Sequence, residues 1–324
     1  MHAATLDALD LKLLQALELD GRAPFSRIAA VLGVSDQTVA RRYRRLRTTV
    51  NLRVLGLTDD ARVGRQTWIV RLHCTPDVAG RLADALAKRP DTLYVAVTSG
   101  GTEVVCGMKP RSDRERDELL LTRIQRTPQV VSVGAYCLLH RFYGDMLGWL
   151  NKNTALDPDQ LAALSPPTLA PFTEPATLDA ADEALLEVLR GDGRATLAEL
   201  QKVTGQPESA VKRRLDTLRT TGALYFAVQY NPAPLGRSVA AMLWLTVAPR
   251  DLTTVGRALA DHPEIRFVAA ATGAANVIAN GLFRSPDHLY TYLSEQIGRL
   301  DGVQAVETAL VLRQVKQLAY EPNR

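Results

Sequence analysis

Between Ser35 and Thr49 the chain carries five arginines, Arg41, Arg42, Arg44, Arg45 and Arg47, against one acid, Asp36, a net charge of +4. A planar guanidinium can bond both acceptors of a guanine edge, and an amide such as that of Gln37 can do the same for adenine. At roughly 100° per residue, Val39, Tyr43 and Leu46 share one stripe, while Gln37, Arg41 and Arg44 cluster on the opposite side. Ala40 and Arg45 lie at the margins of that cluster, and Arg42 and Arg47 flank the apolar stripe. A charge run is most often a solvated face. This one is all arginine rather than mixed lysine and glutamate, which favours duplex DNA as its partner, with Gln37, Thr38, Arg41, Arg42, Arg44, Arg45 and Arg47 as candidate contacts.

Such a face needs a helix held in place by others. Asp7 can cap a helix with apolar positions Leu9, Leu13, Leu14 and Leu17, and Asp20-Gly21 can stop it. Pro24 suits the first turn of a second helix, with Phe25, Ile28, Ala29 and Leu32 on one face. Gly33 ends that helix and Ser35 caps the third, predicted over 36–48. The connection Gly33-Val34-Ser35 has the length of a helix-turn-helix turn.

The same text recurs. Leu6–Ala23 (LDALDLKLLQALELDGRA) and Leu178–Ala195 (LDAADEALLEVLRGDGRA) share eleven of eighteen residues without a gap, at an offset of 172. The register continues through Gly33 and Gly205, Val39 and Val211, Arg41-Arg42 and Arg213-Arg214, and Leu46 and Leu218. So long a period indicates a duplicated domain pair rather than a solenoid. In the second copy, 207–221 sums to +2, with Ser209, Lys212, Arg213 and Arg214 as candidate DNA contacts. There Asp216 replaces Arg44, and Pro207 replaces the capping serine, so that helix should start less firmly.

After a strand (52–57, or 224–230) each copy changes to the period of strands and helices in the order βαββαβ, that of a ferredoxin-like fold. The first copy predicts elements at 68–72, 78–88, 92–98, 103–108, 114–126 and 130–138; the second at 240–247, 252–260, 265–271, 276–282, 286–299 and 303–312. The fold class is α+β. Between the copies, 144–176 holds five prolines and reads as a linker with one short helix at 158–164.

With 324 residues the chain suits about two domains, 46% hydrophobic residues are enough for ordinary cores, and a formal charge of +4 tolerates an acidic partner. It has neither a secretory leader pattern nor an apolar run of spanning length, so a soluble, cytoplasmic protein with no membrane partner is expected. Cys74, Cys106 and Cys137 lie far apart and read as small buried residues in a reducing compartment. No metal and no cofactor is expected.

Together these residues resemble the Lrp/AsnC family of transcription regulators. The resemblance rests on Leu6-Asp7-Ala8-Leu9-Asp10, Leu13-Leu14, Asp20-Gly21-Arg22, Ser35 with Val39, Arg42 and Leu46, and Thr272-Gly273 with Asn276. It implies winged helix-turn-helix domains at 1–57 and 177–231, and ferredoxin-like ligand domains (RAM domains) at 64–142 and 236–318, joined by the linker 143–176. It also implies pairing of the RAM sheets through their open faces, here within the chain, and homo-oligomers through further RAM surfaces. Finally, it implies a small effector, typically an amino acid, near the turns Ser99–Glu103 and Thr272–Asn276. Gly100, Gly101 and Gly273 can expose backbone N–H groups to a carboxylate, Glu103 can meet an ammonium, and Asn276 carries no charge. A glycine between strands is most often only a turn.

The expected function is a sequence-specific, effector-modulated DNA-binding regulator, not an enzyme. Two alternatives stay open. Siroheme decarboxylases use similar tandem units, but of the histidines, His2, His73, His140, His262 and His288, none lies in the stretches joining the reading and RAM domains. The other alternative is a partner protein whose reading helices are silent.

Overall fold

The protein is described from a computed structural model, which covers residues 6–124, 126–127, 129–144, 152, 155–165 and 169–320. The chain divides into two units, each built from both copies: Met1–Gly64 with Leu150–Leu235, and Arg65–Trp149 with Gly236–Arg324.

The first unit opens with α1 (Ala8–Leu19), α2 (Phe25–Leu32), α3 (Asp36–Thr49) and β1 (Arg53–Thr58), repeated as α7 (Ala180–Gly191), α8 (Leu197–Thr204), α9 (Glu208–Thr220) and β6 (Leu224–Gln229). The linker contributes α6 (Pro158–Leu164), at the predicted bounds. Asp7 caps α1 in a box with Asp10, Ser35 caps α3, and Gly33 closes α2 in the left-handed region. Pro24 sits at the N-cap of α2 rather than in its first turn, and Pro207 gives α9 no side-chain cap. The linker is no free tether here. Gln15 of α1 accepts from the Leu156 N–H at 2.8 Å, and Arg27 of α2 donates to the Ala163 carbonyl at 2.7 Å.

β1 and β6 pair antiparallel from Arg53↔Gln229 to Thr58↔Leu224. At the centre Leu55 faces Ala227, residues 172 apart and so equivalent in the repeat, which puts a local two-fold axis through the ribbon. The repeated Asp-Gly-Arg-Ala closes it. Arg22 donates to the carbonyls of Gly193 (2.7 Å) and Ala195 (3.0 Å), and Arg194 to those of Gly21 (2.6 Å) and Ala23 (3.1 Å). Gly193 must be glycine for space: an added Cβ would lie 2.9 Å from the Leu55 backbone.

The second unit contains β2 (Trp68–Cys74), α4 (Ala79–Ala87), β3 (Thr92–Thr98), β4 (Glu103–Met108), α5 (Asp113–Asp117, continued by a wider π-turn) and β5 (Val130–Tyr143). Its second copy is β7 (Val239–Val247), α10 (Leu252–Asp261), β8 (Ile265–Ala271), β9 (Val277–Phe283), α11 (Pro286–Thr291, likewise continued) and β10 (Val303–Gln317), followed by β11 (Ala319–Tyr320). Both follow the ferredoxin-like strand order, β3-β4-β2-β5 and β8-β9-β7-β10. β5 also pairs with β8 and β10 with β3, so eight strands close into one ring. That is why both last strands outrun the predicted ends at 138 and 312: their second halves pair with the other copy.

Each sheet packs its helices on one face, the first around Val70, Leu72, Val95 and Val104, the second around Leu243, Leu245, Val268 and Val277. The remaining faces cover each other through Ile69, Tyr94, Ala96, Val105, Met242, Trp244, Phe267 and Ile278. Burying such side chains contributes about 1.5–3 kcal/mol each before entropy is counted. Among the described residues no helix is long and apolar enough to cross a membrane.

Candidate nucleic-acid interface

Helix α3 is fixed by its inward residues. Val39 and Leu46 are buried, and the Tyr43 ring lies 5.2 Å from that of Phe25 on α2. On the outer side Gln37, Arg41, Arg44, Arg45 and Arg47 are exposed, and Thr38 is half-buried with its hydroxyl 3.0 Å from that of Ser35. Arg44 spends only its Nε, on the Ala40 carbonyl one turn back. Among the described residues Arg41, Arg44 and Arg47 enter no ion pair.

Arg42 and Arg45 differ from the expectation. Arg42 Nη1 donates to Asp7 (2.6 and 2.8 Å) and to Asp10 Oδ1 (2.9 Å), and Arg45 donates to the other Asp10 oxygen. Asp10 is fully buried in α1, so its charge needs these partners. The Arg42 guanidinium holds the Asp7 carboxyl below its ordinary value, and the two acids raise Arg42 in turn. A 100° projection shows which way a side chain points, not which acid of a neighbouring helix meets it.

Helix α9 repeats the frame with other outward residues. Arg214 donates to Asp179 (2.8 Å) and Asp182 (2.7 Å), as Arg42 does to Asp7 and Asp10. Ser209, Lys212, Arg213 and Asp216 are exposed on a shallow surface shared with Thr217 and Thr220. Arg219, the counterpart of Arg47, turns inward to Asp20 at 3.2 Å and over the Phe226 ring. Sequence reasoning missed Arg22 and Arg194, which tie each copy to the repeated loop of the other. Their signal was the repeated Asp-Gly-Arg-Ala, in which Asp20-Gly21 reads as a helix stop and Asp20-Gly21-Arg22 carries part of the resemblance, with no structural role given to the arginine.

The two glycine turns in the second unit are unlike. In the first, Ser99, Gly100 and Gly101 all have positive φ (51°, 69° and 87°), and nothing lies within 4 Å of a Cβ placed on either glycine. In the second, Gly273 packs under Tyr136, and Thr272 exchanges two hydrogen bonds with the Cys137 backbone at 2.9 Å. Asn276 spends its side chain on both polar groups of the Val247 backbone, each at 2.8 Å.

Glu103, expected to meet an ammonium, is buried instead. It accepts from Arg71 (3.0 Å) and the Ser99 hydroxyl (3.1 Å), so its charge is already matched. Arg71 also donates to Glu307 of the second copy and stacks 4.9 Å over the Trp244 ring. These bonds raise the Arg71 pKa and lower that of Glu307.

No group of three or more metal-ligating side chains occurs among the described residues. His73 stands 3.8 Å from Glu103, His262 bonds Tyr292 at 2.9 Å, His288 lies 3.3 Å from Glu264, and His140 is exposed. His2 lies outside the described residues. Burial pushes the Cys106 thiol up to about 12 and raises Cys74 and Cys137.

Comparison with known proteins agrees with this architecture. A model of the AsnC-type helix-turn-helix domain matches residues 6–47, one of winged helix-turn-helix DNA-binding domains 178–223, and one of the Lrp/AsnC ligand binding domain 240–320. An uncharacterised HTH-type transcriptional regulator of Pyrococcus furiosus is 30% identical over 144 residues, 44% of this chain and 97% of that one. The HTH-type transcriptional regulator FL11 of the same organism is 30% identical over 146 residues, 45% of this chain and 96% of that one. A whole relative thus corresponds to one half of this chain. Among solved structures, the siroheme decarboxylase NirDL in complex with an iron-uroporphyrin III analogue has a TM-score of 0.64 at 14% identity, covering 97% of this chain and 94% of that one, a likeness of fold. With two helix-turn-helix domains and an Lrp/AsnC ligand domain on a repeated sequence, the chain belongs to the Lrp/AsnC family of transcriptional regulators.

Proposed function

We propose that the chain binds DNA in a sequence-specific way as an intramolecular pseudo-dimer. The observation that carries this is the division of labour on α3: Arg42 and Arg45 pair with buried acid, whereas among the described residues the exposed Arg41, Arg44 and Arg47 enter no ion pair. The local two-fold axis through Leu55 and Ala227 relates α3 to α9, so the two reading helices face half-sites about 34 Å apart or a multiple of it. Phosphate contacts supply most of the affinity, and base edges the selection. The test compares binding to a selected duplex with binding to a scrambled one of equal length and salt. A selected duplex bound at least about 10³-fold more tightly supports the proposal, and equal binding refutes it.

The effector reading narrows to the first turn. Nothing lies within 4 Å of a Cβ placed on Gly100 or Gly101, so ligand atoms have room to approach that backbone, while the second turn is closed by Tyr136 and the Asn276 bonds. We assign Gly100 and Gly101 to the carboxylate of a small amino acid. Calorimetry with an amino-acid mixture, on the wild type and Gly101→Val, tests this: heat from the wild type alone is the expected result.

Further copies associate through the outward faces of β5 and β10. Val131 is 75% exposed and Leu139 65% on one strand, and Leu312 58% on the other. At the offset of 173 that relates the two sheets (Val70 to Leu243, Val104 to Val277), Leu139 and Leu312 are equivalent, so each chain offers an exposed leucine at that place twice.

The fold likeness to NirDL spans both copies, which supports a second reading in tetrapyrrole chemistry. A shift of the visible band on adding siroheme would favour it.

A further inference from the structure

The two reading helices stand in the same frame. Val39 and Leu46 are buried on α3, and Val211 and Leu218 at the equivalent positions on α9. Arg42 reaches Asp10 at 2.9 Å and Arg214 reaches Asp182 at 2.7 Å, again at equivalent positions. Rotation and depth of each helix are therefore set alike, and equivalent residues face the same place in each half-site. The outward residues can be compared one by one.

Arg41 and Arg213 are the same residue, exposed in both copies. One turn further along that face, Arg44 is matched by Asp216, also exposed in both. Asp216 follows Lys212 by four residues and Arg213 by three, yet among the described residues it forms no ion pair with either. Its charge faces outward on the surface lined by Ser209, Lys212, Arg213, Thr217 and Thr220. Against a phosphate an acid is repelled; against a base edge it has one good partner, the N4 amino group of cytosine. Arg44, with both terminal nitrogens uncommitted, has guanine as its best partner.

On these grounds we infer that the operator is palindromic at the base pair read by Arg41 and Arg213 and breaks its symmetry at the neighbouring pair, where Arg44 reads guanine and Asp216 reads cytosine. This rests on the DNA-reading proposal above. One consequence is direction: an operator with a broken palindrome fixes which copy occupies which half-site, so the chain sits on DNA in a single orientation. A homodimer of one-copy chains has identical helices and no such means of choosing.

The experiment is selection from a random duplex pool with the wild-type full chain and with Asp216→Arg. Asp216 is exposed and outside every core, so the substitution leaves the fold intact, which circular dichroism checks. The expected wild-type consensus has matching guanines at one position of each half-site, and guanine against cytosine at the next. Asp216→Arg should turn that cytosine into guanine and complete the palindrome. Replacing the cytosine in the wild-type operator should weaken binding about tenfold for the wild type and leave Asp216→Ala indifferent. A fully palindromic wild-type consensus, or a variant consensus unchanged at that position, overturns the inference and leaves DNA reading standing. A pool with no enriched sequence overturns both.

Discussion

Arg42 Nη1 on α3 lies 2.9 Å from Oδ1 of Asp10, which is fully buried in α1, and Arg214 and Asp182 repeat the relationship at 2.7 Å in the second copy. Removing one partner strands the other charge in the interior, which for buried pairs costs about 3–5 kcal/mol. Asp10 keeps a second partner in Arg45, whereas Thr217 stands at the equivalent place in copy two. Arg214→Ala should therefore lower stability in urea more than Arg42→Ala, and Arg41→Ala should change it by less than about 0.5 kcal/mol. The reverse order would remove Arg42 and Arg214 from their structural role.

Arg22 and Arg194 each bond carbonyls in the other copy's repeated loop, which ties the two helix-turn-helix halves together. With both changed to alanine, the ribbon should loosen, and operators lengthened or shortened by two base pairs should lose less affinity than they do with the wild type. Binding across a spacer series reads this directly. Gly193→Ala should be more harmful to folding, because its Cβ meets backbone that cannot rotate away.

Glu307 is depressed chiefly by its hydrogen bonds from Arg71. A depressed carboxyl stabilises the fold above its ordinary value of 4.5 and loses that contribution as pH falls through the lowered one. With Glu307 60% exposed, screening holds the pair to about 1 kcal/mol or less. The melting temperature of Glu307→Gln should lie slightly below that of the wild type at pH 7, and the gap should close in the acid range. A gap that widens on acidification would contradict the assignment.

The apolar stripes on β5 and β10 predict association. Sedimentation of the wild type should show species larger than one chain, and Leu139→Glu with Leu312→Glu should shift the distribution to single chains. A wild type that sediments as one chain at tens of micromolar would rule this surface out.

Much of the fold was legible because local rules acted alone. The bounds of β3, β4, β8 and α6 follow from periodicity and punctuation, and Asp7, Gly33 and Ser35 cap as their types dictate. The sequence did not show where one copy leans on the other. β5 and β10 run on because their partners belong to the other half, and Arg22 and Arg194 bond carbonyls more than 170 residues away. Charge type alone also did not show that Arg42, Arg45 and Glu103 meet opposite charges within the protein. Burial of a partner far along the chain decides whether a charge is spent inside or offered to a ligand.

DNA reading by α3 is tested most directly by the salt dependence of binding to a selected operator, for the wild type and for Arg41→Ala. Binding of the wild type should weaken steeply with salt, and the variant should lose about tenfold in affinity with unchanged urea stability. Equal affinity of both proteins at every salt concentration would show that the outward face of α3 does not read DNA.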